Sequence, residues 1–356
     1  GLSIGAQATN GYFAHGYGMK AKGMAGVSTA MASDAMGGAN NPASMAFVGD
    51  RLDLGLDIFS PIREISRSGS TPGGFPVDSN GDGLFGPGDF IAPIPAINGN
   101  SDSESNVFAI PEFGYNKMIN PNLALGVTVY GNGGMNTDYD PIPGGPNLLG
   151  GNGRLGVDLM QLIVAPTAAY KIAPNHAIGI SPLLGYQRFK AEGLQAFGLI
   201  SQDGANLTNR GYDDAFGYGV RIGYQGRVTP TVTIGAAYAS KMNFEEFSKY
   251  KGLFAEKGDF DIPENYNVGM AWQATPSFLV AMDYQRINYS DVKSIANPST
   301  NFNPLCTLAT PFNATNPNCL GGSNGPGFGW QDVDIWKLGV EYKHNKQWTV
   351  RAGFSH

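Results

Sequence analysis

The chain has 356 residues, 42% of them hydrophobic but only 15% charged, with 51 glycines and a formal charge of −6. Charge lies well below the roughly 25% of ordinary soluble domains and glycine is about twice its usual share, while the negative balance and the lack of a basic cluster exclude a nucleic-acid partner. No run of ~18 apolar residues occurs, which excludes a membrane-spanning helix but not a barrel, whose apolar residues hide in alternation.

The opening "GLSIGAQA" ends in Ala6-Gln7-Ala8. It reads either as the tail of a signal peptide with an A-x-A cleavage site, the mature chain starting near Thr9, or as the mature N-terminus itself. The stretch up to residue 50, with "KAKGMAGVSTAMASDAMGGANNPASMAF", is rich in Ala, Gly and Met. It has little strand character, room for short helices, and too few large apolar side chains for a core of its own. Residues 1–50 are therefore expected to plug a space enclosed by residues 51–356.

From residue 51 onward, segments of about ten residues alternate apolar with polar or small, the period-two signature of strands. "YGVRIGY" sets Tyr218, Val220, Ile222 and Tyr224 against Gly219, Arg221 and Gly223; "WKLGVEY" sets Trp336, Leu338, Val340 and Tyr342 against Lys337, Gly339 and Glu341. "FLVAMDYQ" and "WTVRAGF" repeat the pattern, the latter with Arg351 on its polar face. Aromatics bracketing an aliphatic middle match the apolar band of a transmembrane β-barrel. A soluble all-β domain with one wet face is the alternative. Short turns at 120–122, 173–175, 229–231, 275–277 and 344–346 alternate with long connections near 66–104, 138–154, 191–212, 248–261 and 291–330. That is the layout of periplasmic turns and external loops. The runs amount to about eleven strands up to His356, and bacterial single-chain barrels close on even counts. The expectation is that further C-terminal strands belong to the protein.

Three stretches interrupt this regularity. "DSNGDGLFGPGD" places Asp78, Asn80 and Asp82 at positions 1, 3 and 5 of a calcium loop, Gly83 at its sharp turn, the Leu84 carbonyl at 7 and Asp89 at 12. Asp in place of Glu at position 12 and the lack of flanking helices point to one structural Ca²⁺ in the first external loop, or to a turn without metal. "LGVTVYGNGGMNTDY" begins as a strand and then places Gly131, Asn132, Gly133 and Gly134 inside it. Glycine there marks a bulge or kink, or a strand running early into its loop. Cys306 and Cys319, the only cysteines, share a segment dense in Pro, Asn and Gly. They read as a disulfide of an oxidising compartment, or as two free thiols.

The plug segment with its Asn41-Pro42-Ala43, the "YGNGGMNTDY" strand and "WTVRAGFSH" together resemble the FadL/TodX family of outer-membrane transporters for hydrophobic compounds, across essentially the whole chain. The resemblance implies a fourteen-stranded barrel, of which about eleven strands are present, in the outer membrane of a Gram-negative cell. It implies an N-terminal hatch carrying Asn41, Pro42 and Ala43, and a kinked third strand that opens sideways. It also implies external loops that capture substrate. The matching loops hold Leu194, Phe197, Leu199 and Ile200, and Leu253 and Phe254. These apolar residues would face water, or would pack on one another over the barrel mouth.

The function so implied is passive uptake of long-chain fatty acids or aromatic and aliphatic hydrocarbons by loop capture, hatch movement and lateral release. The partners are those molecules and the surrounding lipid and lipopolysaccharide, and the protein is a monomer without catalytic cofactor. Arg221, Lys337 and Arg351 could meet a substrate carboxylate, or pair with Asp53, Asp57, Asp283 or Glu341 across the lumen. A porin for hydrophilic solutes and a surface adhesin are the competing readings. An enzyme is not expected, since His15, His176, His344 and His356 are scattered and no nucleophile and base stand together.

Overall fold

A computed structural model describes residues 10–69, 74–77, 90–93, 96–301 and 315–356. Eleven antiparallel strands follow one another in a single sheet. They are β1 (Arg51–Phe59), β2 (Phe108–Met118), β3 (Leu123–Tyr139), β4 (Leu155–Ala173), β5 (His176–Glu192), β6 (Asp213–Arg227), β7 (Val232–Ala239), β8 (Asn265–Thr275), β9 (Phe278–Ile287), β10 (Val333–Lys343) and β11 (Thr349–Ser355). A two-residue strand, Asn243–Phe244, adds to the edge of β6. Each strand pairs with its sequence neighbour, so the sheet is an up-and-down meander built from hairpins. Short Asn/Pro/Thr turns join alternate strands at one end, and the long connections gather at the other, as the sequence pattern requires.

The two faces are inverted relative to a soluble domain. Tyr218, Ile222, Trp336, Leu338, Tyr342, Val350 and Phe354 are all exposed, whereas Glu112, Gln161, Gln187, Arg221, Asp283, Lys337 and Glu341 on the opposite face are buried. Burying unpaired charge while exposing Trp and Leu is unfavourable in water. It is the required arrangement when the outside is lipid and the inside is filled by polar protein.

Residues 10–49 lie against that inner face. Two single-turn helices (Met19–Lys22 and Gly37–Asn40) and a 3-10 turn (Pro42–Ala46) form there, and Ala35, Ala39, Ala43 and Met45 are fully buried. Wall glycines make room for this backbone. A Cβ on Gly179 would fall 2.4 Å from the Pro42 carbonyl carbon, and one on Gly223 would fall 2.1 Å from Asn41 Oδ1. Part of the glycine excess thus serves the close approach of plug to wall. The calcium-loop residues Asp78, Asn80, Asp82, Leu84 and Asp89 lie outside the described residues, as does Cys306. Cys319 is buried with Ile200, Leu207 and Leu320.

Candidate functional site

The glycine-rich stretch of β3 is where the sheet departs from regularity. Along β4 the strand pairs over its full length, with one register shift between Gly131 and Gly133 that leaves Asn132 as the extra residue. Along β2 the ladder runs only from Ala124–Met118 to Val129–Phe113 and stops. Yet β2 continues to Phe108, paired with β1 throughout. Beyond Val129 the two neighbours are no longer joined to each other. The strand is bulged and parted, not ended, because β3 itself runs on to Tyr139.

The freed edge of β3 does not go unsatisfied. Ala14 N–H donates to the Asn132 carbonyl (2.9 Å), Gly134 N–H donates to the Tyr12 carbonyl (3.3 Å), and further out Glu104 N–H donates to the Asp138 carbonyl (2.8 Å). Unpaired backbone groups in hydrocarbon cost about several kcal/mol each, so these bonds explain how an interrupted ladder persists. Gly133 is indispensable to them: a Cβ there would lie 1.7 Å from the Tyr12 oxygen.

Asn132 is fully buried and begins a chain of polar side chains. Tyr17 OH donates to Asn132 Oδ1 (3.0 Å), Asn132 Nδ2 to Gln161 Oε1 (3.1 Å), Gln161 Nε2 to Gln187 Oε1 (3.2 Å), and Gln187 Nε2 to the Phe260 carbonyl (3.0 Å). The chain ties the N-terminal segment, the bulge, two wall strands and an outer loop together. Sequence reasoning missed Tyr17, Gln161 and Gln187. The only signal was Gln on the inward face of a long apolar strand.

A column of aromatic rings leads to the same place. Phe254 lies 4.7 Å from Phe189 and 4.8 Å from Phe260, and Phe260 lies 6.0 Å from Tyr12. Tyr12 in turn meets Phe13, Tyr289 and Trp330 at 5.3, 5.5 and 6.2 Å. Phe13 bridges to Gly133. The expected capture residues sit at the outer end of this column. Leu194, Phe197 and Leu253 are half-buried, whereas Ile200 and Phe254 are 9% and 5% exposed. Leu194, Phe197, Ile200 and Leu253 share one apolar cluster with Leu207, Cys319 and Leu320. Leu199 lies in the 3-10 turn Gln195–Ile200, its side chain outside the described residues. The loops therefore pack on one another, and the expectation that all of these side chains face water does not hold for Ile200 and Phe254.

The remainder of the N-terminal segment is bound by side chains of the wall. Asp283 accepts from Ser28 N (2.9 Å), Thr29 N (3.0 Å) and Thr29 Oγ1 (2.7 Å). Glu112 accepts from Gly18 N (3.1 Å) and Lys22 Nζ (2.6 Å), and Lys22 also reaches Asp57 (3.0 Å). Asn41 accepts from Ala43 N (3.1 Å), capping the 3-10 turn, and donates to the carbonyls of Thr29 and Tyr224 (2.8 Å each). Asn41-Pro42-Ala43 is thus a structural clasp between plug and wall. Of the lumen cations named from sequence, Arg351 pairs with Glu341 (2.8 Å), Lys337 donates to the His15 carbonyl (2.8 Å), and Arg221 donates to the Ala39 carbonyl and to Tyr130 OH. All three are engaged within the protein.

Comparison with known proteins agrees with this geometry. A search of curated proteins finds no match. Among solved structures, the toluene transporter TbuX of Ralstonia pickettii shares 18% identity at a TM-score of 0.62, over 96% of this chain and 86% of that one. The Pseudomonas putida toluene transporter TodX shares 20% at 0.63, over 98% and 85%. A Pseudomonas aeruginosa FadL homologue shares 17% at 0.59, over 97% and 80%. At such identities the likeness establishes the fold. The family described as outer membrane protein transport protein (OMPP1/FadL/TodX) matches residues 3–356. The chain belongs to the OMPP1/FadL/TodX family of outer-membrane transport proteins, and it is a β-barrel channel of that membrane, not an enzyme.

Proposed function

We propose that this channel admits small hydrophobic molecules passively from outside the cell and releases them sideways into the membrane, between β2 and β3 beyond Val129. The observation that carries this reading is the ladder that stops at Phe113 and Val129 while both strands continue. The route begins at the half-buried Leu194, Phe197 and Leu253 and follows the aromatic column to Tyr12 and Phe13. It leaves where Gly131 to Gly134 give way. An apolar solute moves down its gradient along such a path because each stage offers apolar contact in place of water. Opening requires that the bonds from Tyr12, Ala14 and Tyr17 to the bulge be released. The body of the hatch, clasped by Asp283, Glu112 and Asn41, stays in place and blocks the straight path.

The substrates best matched are uncharged. The column is built of rings, and Arg221, Lys337 and Arg351 are already engaged, leaving these three no free role in holding a carboxylate. Relatives of the same fold are described as toluene transporters, which supports hydrocarbons over fatty acids. A porin for hydrophilic solutes would require an open lumen, and an adhesin would require no parted wall. The test is deletion of Asn132, which removes the bulge residue and restores the β3 register. Uptake of labelled toluene into cells should fall by an order of magnitude or more while the barrel still folds. Undiminished uptake would reject the lateral route.

A further inference from the structure

We propose that the lipid-facing side of β4, β5 and β6 holds a phosphate of lipopolysaccharide on Arg188, at the outer rim of the wall. Along β5, Arg188 has the same parity as the exposed Ile178, Ile180 and Leu184, while Leu183, Gln187 and Phe189 between them are buried. It therefore points away from the lumen. It stands near the end of β5 that leads into a long connection, with Met160 of β4 and Asp214 of β6 as its cross-strand neighbours. The next two rows inward on the same face pair Tyr186 with Phe216 and Leu184 with Tyr218, and Leu184, Phe216 and Tyr218 are exposed. The apolar band with its aromatic edge thus ends just below Arg188, where the headgroups of the leaflet begin.

What distinguishes Arg188 is that its donors are unspent. Its guanidinium sits over the Tyr212 ring, 3.5 Å from the centroid, and makes no hydrogen bond or ion pair among the described residues. Asp214, directly across the ladder, accepts instead from Tyr186 OH (2.6 Å), and Asp158 of β4 accepts from Tyr212 OH (2.6 Å). Two other arginines of the outer rim are saturated. Arg154 pairs with Glu104, Asp138 and Asp140, and Arg286 with Asp332 and Asp334. A guanidinium held by its face on an aromatic ring keeps its in-plane N–H fork free, and that fork matches two oxygens of a phosphate. Lys190, 5.3 Å from the same ring centroid, stands beside it as a second donor.

Position and charge select the occupant. The long connections gather at this end, so the adjoining leaflet is the outer one, whose phosphorylated lipid is lipopolysaccharide. Asp158, Asp214 and Glu192 balance Arg188 and Lys190 locally, so recognition rests on the geometry of the fork and not on a positive field. A phosphate monoester, with up to two charges and three terminal oxygens, suits that fork better than a singly charged diester. The same row of the sheet reaches the parted wall, since Met160 faces Arg188 on one side and Gly134 on the other. At ~4.8 Å per strand the phosphate stands about 10 Å along the row from the bulge. A lipid held there flanks the exit described above; that consequence rests on the lateral route, and the site itself does not.

The test is binding of lipid A, the phosphorylated anchor of lipopolysaccharide, to the purified full chain in detergent, followed by native mass spectrometry. Dephosphorylated lipid A and phosphatidylglycerol serve as comparisons. Arg188→Ala should bind lipid A about tenfold more weakly than the native protein. Arg188→Lys keeps the charge but loses the fork, and should fall about threefold; it remains readable if Arg188→Ala fails to fold. Arg286→Ala, at the saturated arginine, should bind as the native protein does. Removing the phosphates should erase the difference between native and Arg188→Ala, and phosphatidylglycerol should not tell the two apart. Equal lipid A binding by native and Arg188→Ala, or native binding undiminished by dephosphorylation, overturns the proposal. Phosphatidylglycerol binding that depends on Arg188 as strongly as lipid A binding does overturns the assignment to lipopolysaccharide. Toluene uptake is read separately through the Asn132 deletion, so failure of either reading leaves the other standing.

Discussion

The N-terminal segment is held in two ways. Its body, from Gly18 to Ala46, is gripped by ionised or amide side chains of the wall. Asp283 takes three donors from Ser28 and Thr29, Glu112 takes Gly18 and Lys22, Asp53 takes Ala35 N–H (2.9 Å), and Asn116 donates to the Met45 carbonyl (2.9 Å). Its tip, Tyr12 to Ala14, is bonded to the bulge through neutral backbone groups and otherwise rests on rings. Bonds to charged groups are about twice as strong as neutral ones. The difference separates a fixed stopper from a displaceable latch within one short stretch of chain.

Disabling the strongest anchor should break that contrast most visibly. Asp283→Ala removes three hydrogen bonds and leaves Lys337, its cross-strand neighbour, without a buried counter-charge, a loss of about 3 kcal/mol. Thermal unfolding in detergent should shift down accordingly, and ion conductance across planar bilayers should appear. A silent bilayer with native stability would show that the body is held by something else. Asn41→Ala acts on the clasp, which makes three bonds, and should cost about 2 kcal/mol by the same unfolding assay.

A smaller change should sharpen the contrast instead. Tyr17→Phe deletes the hydroxyl that reaches Asn132 and weakens the tip by about 1 kcal/mol. Amide exchange at Tyr12 to Ala14 should quicken about fivefold with global stability unchanged. Equal quickening throughout residues 18–46 would dissolve the distinction between tip and body.

The weakest expected effect concerns the outer loop that carries Phe260. Burial and the neighbouring Asp261 push the carboxyl of Asp259 up to about 7, with Lys241 opposing and Glu256 reinforcing the shift. The folded loop therefore prefers Asp259 protonated, and that contribution is complete below the ordinary 3.8 and lost as pH rises through about 7. Phe260 sits between the two acids. Proteolysis of the 240–264 loop should be slower at pH 5 than at pH 8, and Asp259→Asn should remove the difference.

Much of the fold was legible because alternation survives folding. Tyr218, Trp336 and Phe354 face outward and Arg221, Asp283 and Lys337 inward, as the period of two requires. The bulge at Asn132 was legible too, since glycine in a strand has few other uses. What sequence could not show was partnership. Tyr17 and Asn132 are separated by 115 positions, and Gln187 and Phe260 by 73, and no local pattern encodes such pairings. The inward turn of Phe254 was hidden for a related reason. Its neighbours Phe189 and Phe260 come from a wall strand and from another part of its loop, and only packing brings them together. Tyr12 read as an unremarkable residue of a small-residue plug until four rings closed around it.

The central claim is that the parted wall between β2 and β3 must widen for cargo to leave. A side chain on Gly131 would touch Ile110 of β2, with its Cβ 3.1 Å from Ile110 Cγ2, so Ile110→Cys with Gly131→Cys places two thiols across the gap. Labelled toluene uptake should be lost when this pair is oxidised and recovered on reduction, with the native protein, which carries Cys306 and Cys319 of its own, indifferent to both treatments. Equal uptake by the oxidised and reduced double variant would contradict the account.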